Sequence, residues 1–142
     1  MDLSVGLPAV SVGLLHLILV AVGGGLGGAG RLWVSGVVSR RAGEAFPWGL
    51  LAVNVSGALC IGLLAGAFLS GALIGDAVSL WAALVIGALG SYTTVSAFSL
   101  QTLLLTHQGQ WRRAMAYVIL SLVLSIAAAG AGLFAVHWVV GG

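Results

Sequence analysis

The chain has 142 residues, of which 61% are hydrophobic and only 6% are charged. Soluble domains carry about 25% charged residues, so this composition excludes a protein whose whole surface faces water. All the positive charge comes from five arginines, and these are too dispersed to form the basic face that nucleic-acid binding requires. We therefore expect lipid to surround most of the chain.

Four long stretches contain no Asp, Glu, Lys or Arg: 3–30, 45–75, 77–111 and 114–142. Each is longer than the roughly 20 residues that a helix needs to cross a bilayer. Lipid offers no partners for backbone N–H and C=O groups, so each span must be helical. The sequence predicts an all-α membrane protein with a single transmembrane domain over 1–142. We place its four transmembrane helices at about 10–38, 47–69, 76–106 and 112–140.

The loop arginines predict the orientation of these helices. Arg40 and Arg41 follow the first span, Arg112 and Arg113 lie between the third and fourth spans, and the loop between the second and third spans has no base. Since cytoplasmic loops are rich in Lys and Arg, the two arginine-bearing loops are predicted to be cytoplasmic and both termini to lie outside. Asp2 disfavours a cleaved signal peptide, because such peptides begin with a basic region.

The third span has an unusual composition for a membrane helix. Its middle, residues 87–99, carries two glycines, three serines and two adjacent threonines. Glycine costs about 1 kcal/mol in a helix interior, and unwound backbone at membrane depth is tolerated where it is buried or lines a wet cavity. We predict that the third helix is broken mid-membrane. Simple helix packing through small residues is the alternative, and it is sufficient for the glycines of the first span.

A few polar side chains lie inside the predicted spans. Tyr117, Ser121 and Ser125 are spaced four apart, so they form one stripe of hydroxyls on the fourth helix. Asn54 in the second span must be paired, either by an interhelical hydrogen bond or by a ligand. Arg31 either extends to the membrane interface or lies in an aqueous vestibule.

Other chemistry is absent from the sequence. No Asp or Glu lies in the core of any span, so there is no obvious carboxylate for coupling to protons. The three histidines are scattered, and no phosphate loop, nucleophile elbow or zinc-ligand spacing is present. We therefore do not expect an enzyme.

Four patterns occur together in this order: GGAGR at 27–31, WGLLAVNVSG at 48–57, GALGSYTTVSAFS at 87–99 and the hydroxyl stripe of the fourth span. Together they resemble the Fluc/CrcB family of fluoride ion channels, and the resemblance covers nearly all of the chain from about residue 23. The resemblance implies a passive channel that exports fluoride across the cell (plasma or inner) membrane and relieves fluoride toxicity. It also implies an antiparallel, dual-topology-type dimer with two pathways along the subunit interface.

The family pattern also implies roles for individual residues. Asn54 is expected to donate to fluoride and Phe98 to offer it an electropositive ring edge. The other implied pathway residues are Thr94, Tyr117, Ser121 and Ser125, with Arg31 in the vestibule. Backbone carbonyls of Gly90 and Thr93 from both subunits are expected to hold a structural Na⁺ at the dimer centre, which is the one cofactor implied.

Two features depart from the family pattern. Val95 stands where the family has phenylalanine, and all four loop arginines lie on one side of the predicted topology, although homodimeric members insert both ways. Both departures favour a heterodimer with an oppositely oriented homologue over a homodimer. The alternatives are a non-conducting partner subunit and a small multidrug exporter, whose class relies on a first-span glutamate that this sequence does not have.

Overall fold

The computed structural model describes residues 13–43, 45–71 and 81–141. All regular secondary structure in these ranges is helical. The elements are α1 (Leu14–Ala42), α2 (Trp48–Leu69), the π-helical α3 (Ala82–Leu89), the short α4 (Gly90–Tyr92), α5 (Val95–His107) and α6 (Trp111–Gly141). Within the described residues, four helical stretches are long and apolar enough to cross a membrane: Leu14–Ala42, Trp48–Leu69, Ala83–His107 and Trp111–Val140. The prediction of an all-helical protein with four spans is confirmed.

The helix ends differ slightly from the predicted ones. Helix α1 continues to Ala42 instead of ending near 38, because arginine is a good helix former and the basic Arg40 and Arg41 suit the negative end of the helix dipole. It ends at Gly43, which has a φ of 84° and donates its N–H to Ser39 O at 3.0 Å. Helix α2 begins at Trp48, with Pro47 as its N-cap. The predicted starts at 10 and 76 lie outside the described residues.

Glycines set the distances between the helices. A methyl group on Gly62 of α2 would clash with the backbone of Ala129 in α6, and one on Gly27 of α1 would clash with the backbone of Ala88 in α3. Close approach through small residues is the usual way in which membrane helices pack. Packing does not explain every glycine of the first span, because Gly24 and Gly25 have no neighbour within 4 Å of an added methyl group.

A small buried cluster joins α2, α5 and α6. It consists of Leu51, Leu105, Ala114 and Tyr117. Most other large apolar side chains are exposed, including Trp33, which is 70% exposed. An apolar exterior is what a lipid environment requires.

The backbone between α4 and α5 is extended at two residues. Thr93 has φ −79° and ψ 154°, and Thr94 has φ −154° and ψ 122°. The Oγ1 of Thr94 accepts a hydrogen bond from Ala97 N at 3.3 Å, which caps the N-terminus of α5. Threonine favours this geometry because its hydroxyl satisfies a backbone N–H that has no partner within the helix. Two short stretches of helix therefore meet at a pair of extended threonines.

Candidate functional site

A cavity of about 520 Å³ lies between α2, α6 and the segment from α3 to α5. Most of the residues predicted for a site line it: Asn54, Gly90, Thr93, Thr94, Phe98, Ser121 and Ser125. The remaining lining is mainly apolar and includes Leu89, Leu122 and Ile126. A cavity in which a few polar groups converge on an apolar wall is typical of a site for a small ligand.

Asn54 links α2 to the extended threonines. Its side-chain Oδ1 accepts a hydrogen bond from the backbone N–H of Thr94 at 3.4 Å. Since only the oxygen of an amide accepts such a bond, this contact fixes the orientation of the group. The amide nitrogen, with its two hydrogens, is left as a donor at the cavity wall.

The same region leaves two carbonyl groups without their helical partners. In a continuous α-helix, Gly90 C=O would accept from Thr94 N–H and Thr93 C=O would accept from Ala97 N–H. Here Thr94 N–H donates to Asn54, and Ala97 N–H donates to the side chain of Thr94. Both carbonyls are therefore free of these partners, and both residues line the cavity.

The hydroxyl stripe of α6 is only partly at the cavity. Ser121 and Ser125 line it, whereas Tyr117 is completely buried and packs against Phe98 with ring centroids 5.2 Å apart. Among the described residues, the buried hydroxyls of Tyr117 and Ser121 make no hydrogen bond of good geometry, although Ser121 lies near enough to interact with the Tyr117 hydroxyl. Buried polar groups are nearly always paired, and both oxygens are shielded from solvent, so neither hydroxyl is open to the cavity in this chain.

Of two other residues singled out from the sequence, one lies away from the cavity and the other lies at its open side. Arg31 is half-buried on α1 and does not line the cavity. Val95 lines the cavity but is 80% exposed, so this wall is open towards the outside of the chain.

One contact was missed from the sequence. The hydroxyls of Ser56 in α2 and Tyr92 in α4 are 2.9 Å apart and hydrogen bonded. The available signal was their spacing, since Ser56 follows Asn54 by two residues and Tyr92 precedes Thr94 by two. Serine and tyrosine are too common in membrane helices for this spacing to stand out.

The chain matches the model of a known protein family. The model of the family described as "CrcB-like protein, Camphor Resistance (CrcB)" matches residues 18–133. The chain belongs to the CrcB family. The match begins within α1 and ends within α6, so the CrcB region includes every residue of the cavity wall.

Relatives of this CrcB chain carry a more specific name. It is 47% identical over 116 residues to the fluoride-specific ion channel FluC 2 of Rhodopseudomonas palustris (strain BisB18), covering 82% of this chain and 88% of the relative. The fluoride-specific ion channel FluC 4 of Brucella abortus is 44% identical, over 86% of this chain and 92% of the relative. FluC of Rhizobium meliloti is 43% identical, over 83% and 93%. The resemblance drawn from the four sequence patterns is thereby confirmed, and the chain is a multi-pass membrane protein.

Proposed function

We propose that this chain forms a passive, fluoride-selective channel that exports F⁻ across the cell membrane and relieves fluoride toxicity. The relatives named above are called fluoride-specific ion channels. The observation that carries the proposal is that Asn54, Ser121 and Ser125 line one cavity, with the oxygen of the Asn54 amide engaged by Thr94 N–H and its nitrogen left as a donor. No Asp or Glu lies in the core of any span, so there is no obvious carboxylate for proton coupling. The family and the names of the relatives are those of an ion channel, so the protein is not an enzyme.

These donors suit the chemistry of the ion. Fluoride is small and strongly hydrated, so a pathway must replace its water with a dense series of hydrogen-bond donors. Asn54 supplies N–H groups, while Thr94, Ser121 and Ser125 supply hydroxyls. Phe98 adds an electropositive ring edge, and Tyr117 lies against that ring. The proposed pathway follows this wall, with Arg31 on α1 in a vestibule at one end.

The open side of the cavity supports a dimer. Val95 and Ile126 both line the cavity, yet they are 80% and 72% exposed. In the proposed antiparallel dimer a second subunit covers this wall and closes the pathway. Because all four loop arginines fall on one predicted side, with both termini outside, the partner is expected to be an oppositely oriented homologue.

The residues at the threonine pair fit the structural Na⁺ that the resemblance implies. Backbone carbonyls are suitable ligands for a hard cation, and those of Gly90 and Thr93 are free of their helical N–H partners. The described residues contain no cluster of His, Cys, Asp or Glu that could hold a metal ion instead. When bound, the cation offsets the repulsion between carbonyls brought together where the third span is broken, at mid-membrane and at the dimer centre.

A flux assay tests the proposed channel. The purified chain is reconstituted in liposomes loaded with potassium fluoride, and efflux is followed with a fluoride electrode after a potassium ionophore is added. Release of fluoride but not chloride supports the channel and shows that one chain assembles both orientations. No release from the chain alone leads to the same assay with an oppositely oriented homologue. If the pair also releases no fluoride, the result contradicts the proposal that this chain conducts.

The second candidate is a non-conducting subunit that only stabilises its partner. The replacement of the family phenylalanine by Val95 favours it, because the cavity wall then has only the ring of Phe98 at this point. Such a subunit leaves fluoride flux unchanged when its own Asn54 is altered in the assembled pair.

A further inference from the structure

Two hydrogen bonds join α2 to the end of the third-span segment, and only one of them involves the proposed pathway directly. Asn54 pairs with the backbone of Thr94, and two residues further along α2 the hydroxyl of Ser56 pairs with that of Tyr92. The two stretches run in opposite directions, so the bonds lie side by side. Gly57, the residue after Ser56, also closely approaches the side chain of Thr93.

The Asn54 bond is the weaker of the two. Its N···O distance of 3.4 Å is long for a hydrogen bond, and the Ser56–Tyr92 distance of 2.9 Å is close to the optimum. A hydrogen bond this long does little to hold its own donor and acceptor in position. The position of Thr94 N–H relative to Asn54 must therefore be determined by other contacts between α2 and the third span.

The Tyr92 ring is itself held between two helices. A methyl group on Gly57 of α2 would lie 3.2 Å from its Cδ1, and one on Gly30 of α1 would lie 3.7 Å from its Cδ2. The ring occupies the space that these two glycines leave. With its ring confined and its hydroxyl bonded to Ser56, Tyr92 is fixed relative to both α1 and α2.

We propose that Ser56 and Tyr92 are positioning residues for fluoride, which act by holding Thr94 N–H against Asn54 so that the Asn54 amide keeps its donor towards the cavity. This inference rests on the proposed channel function. Neither residue is among those that line the cavity. Ser56 also bonds to Val53 O at 3.2 Å, so its hydroxyl is anchored to its own helix while it holds Tyr92.

The test compares the fluoride dependence of flux in a set of variants. Tyr92→Phe keeps the ring and removes its hydroxyl, and Ser56→Ala removes the other partner. Ser56→Thr retains a hydroxyl and serves as the rescue. Ser70→Ala is the matched control, because Ser70 lies just beyond α2 and, among the described residues, its hydroxyl donates to the backbone of α2, at Ala67 O. Each variant is measured in the assembly in which the wild-type chain conducts.

We expect the half-saturating fluoride concentration to rise about threefold to tenfold in Tyr92→Phe and in Ser56→Ala, the range that a single lost hydrogen bond provides. The double variant is expected to match the single ones, since both remove the same bond. Ser56→Thr and Ser70→Ala are expected to behave as wild type. If Ser56→Ala does not fold, Tyr92→Phe decides by itself.

Three results overturn the proposal. One is an unchanged half-saturating concentration, and another is a fall in maximum flux alone, which a purely structural role would produce. The third is additive effects in the double variant. A wild-type chain that moves no fluoride, alone or with a partner, is a separate outcome that overturns the proposed function and this inference with it.

Discussion

The side-chain oxygen of Asn54 and the backbone nitrogen of Thr94 are hydrogen bonded at 3.4 Å, although the residues are 40 positions apart in the sequence. This bond ties the second span to the point where the third span becomes extended. It also fixes which end of the amide faces the cavity, and that end is a donor. An anion is the ligand that such an end binds.

Asn54→Asp tests this orientation with almost no change in shape. The carboxylate still accepts from Thr94 N–H, but it has no donor and carries a negative charge. Like charges about 4 Å apart near a protein surface repel by about 4 kcal/mol, so we expect fluoride efflux to fall by about 100-fold or more. The fluoride electrode assay measures it. Flux close to that of wild type would contradict a donor role for Asn54.

Tyr117→Phe is expected to change stability and flux in opposite directions. The buried hydroxyl of Tyr117 makes no hydrogen bond of good geometry in the described part of the chain, although Ser121 lies near it, and a buried, unpaired polar group costs about 1–3 kcal/mol. Its removal should raise the melting temperature in detergent while it lowers fluoride flux by about tenfold, the cost of one bond to an ion. In Tyr92→Phe a bonded hydroxyl is lost, so that variant should melt lower. A destabilised Tyr117→Phe would show that the hydroxyl is satisfied.

The spans were predictable from the sequence, whereas the contacts between them were not. Whether a segment such as Trp48–Leu69 crosses the bilayer depends on its own length and apolar character. The pairing of Ser56 with Tyr92 depends on the depth and rotation of two helices. These are set by a few close approaches such as that of Gly27, and a first span with many glycines does not reveal which of them makes contact. The complete burial of Tyr117 also depends on these contacts, so the spacing of the hydroxyl stripe did not predict it.

Gly27→Ala tests the packing of α1 on α3. A methyl group there would clash with the backbone of Ala88. Backbone atoms, unlike a side chain, cannot relieve such a clash by changing rotamer. Overpacking of this kind typically costs about 1–3 kcal/mol, so the melting temperature in detergent should fall by several degrees. Gly25→Ala is the matched control, because an added methyl group has nothing within 4 Å and alanine is the better helix former. Equal melting temperatures for both variants would contradict the close approach.

Val95→Phe asks whether the missing ring limits conduction. Val95 is 80% exposed at the cavity wall of the single chain, so a larger side chain displaces none of the chain's own buried groups. If ring edges assist the anion, flux should rise severalfold over wild type. Val95→Leu adds bulk without a ring and should leave flux unchanged. An equal response to both substitutions would show that size, and not the aromatic edge, matters at this position.

A single orientation in the membrane is the prediction that decides between a homodimer and a heterodimer. In a Cys60→Ser background, Gln108→Cys places a thiol at the exposed turn between α5 and α6, and Ser70→Cys places one at the exposed end of α2. Since the loop arginines predict that the first of these sites is cytoplasmic, a membrane-impermeant maleimide should label only Ser70→Cys in intact cells. Gln108→Cys should react only after permeabilisation. Labelling of about half of each population in intact cells would show that the chain inserts both ways, and it would favour an antiparallel dimer of this chain with itself.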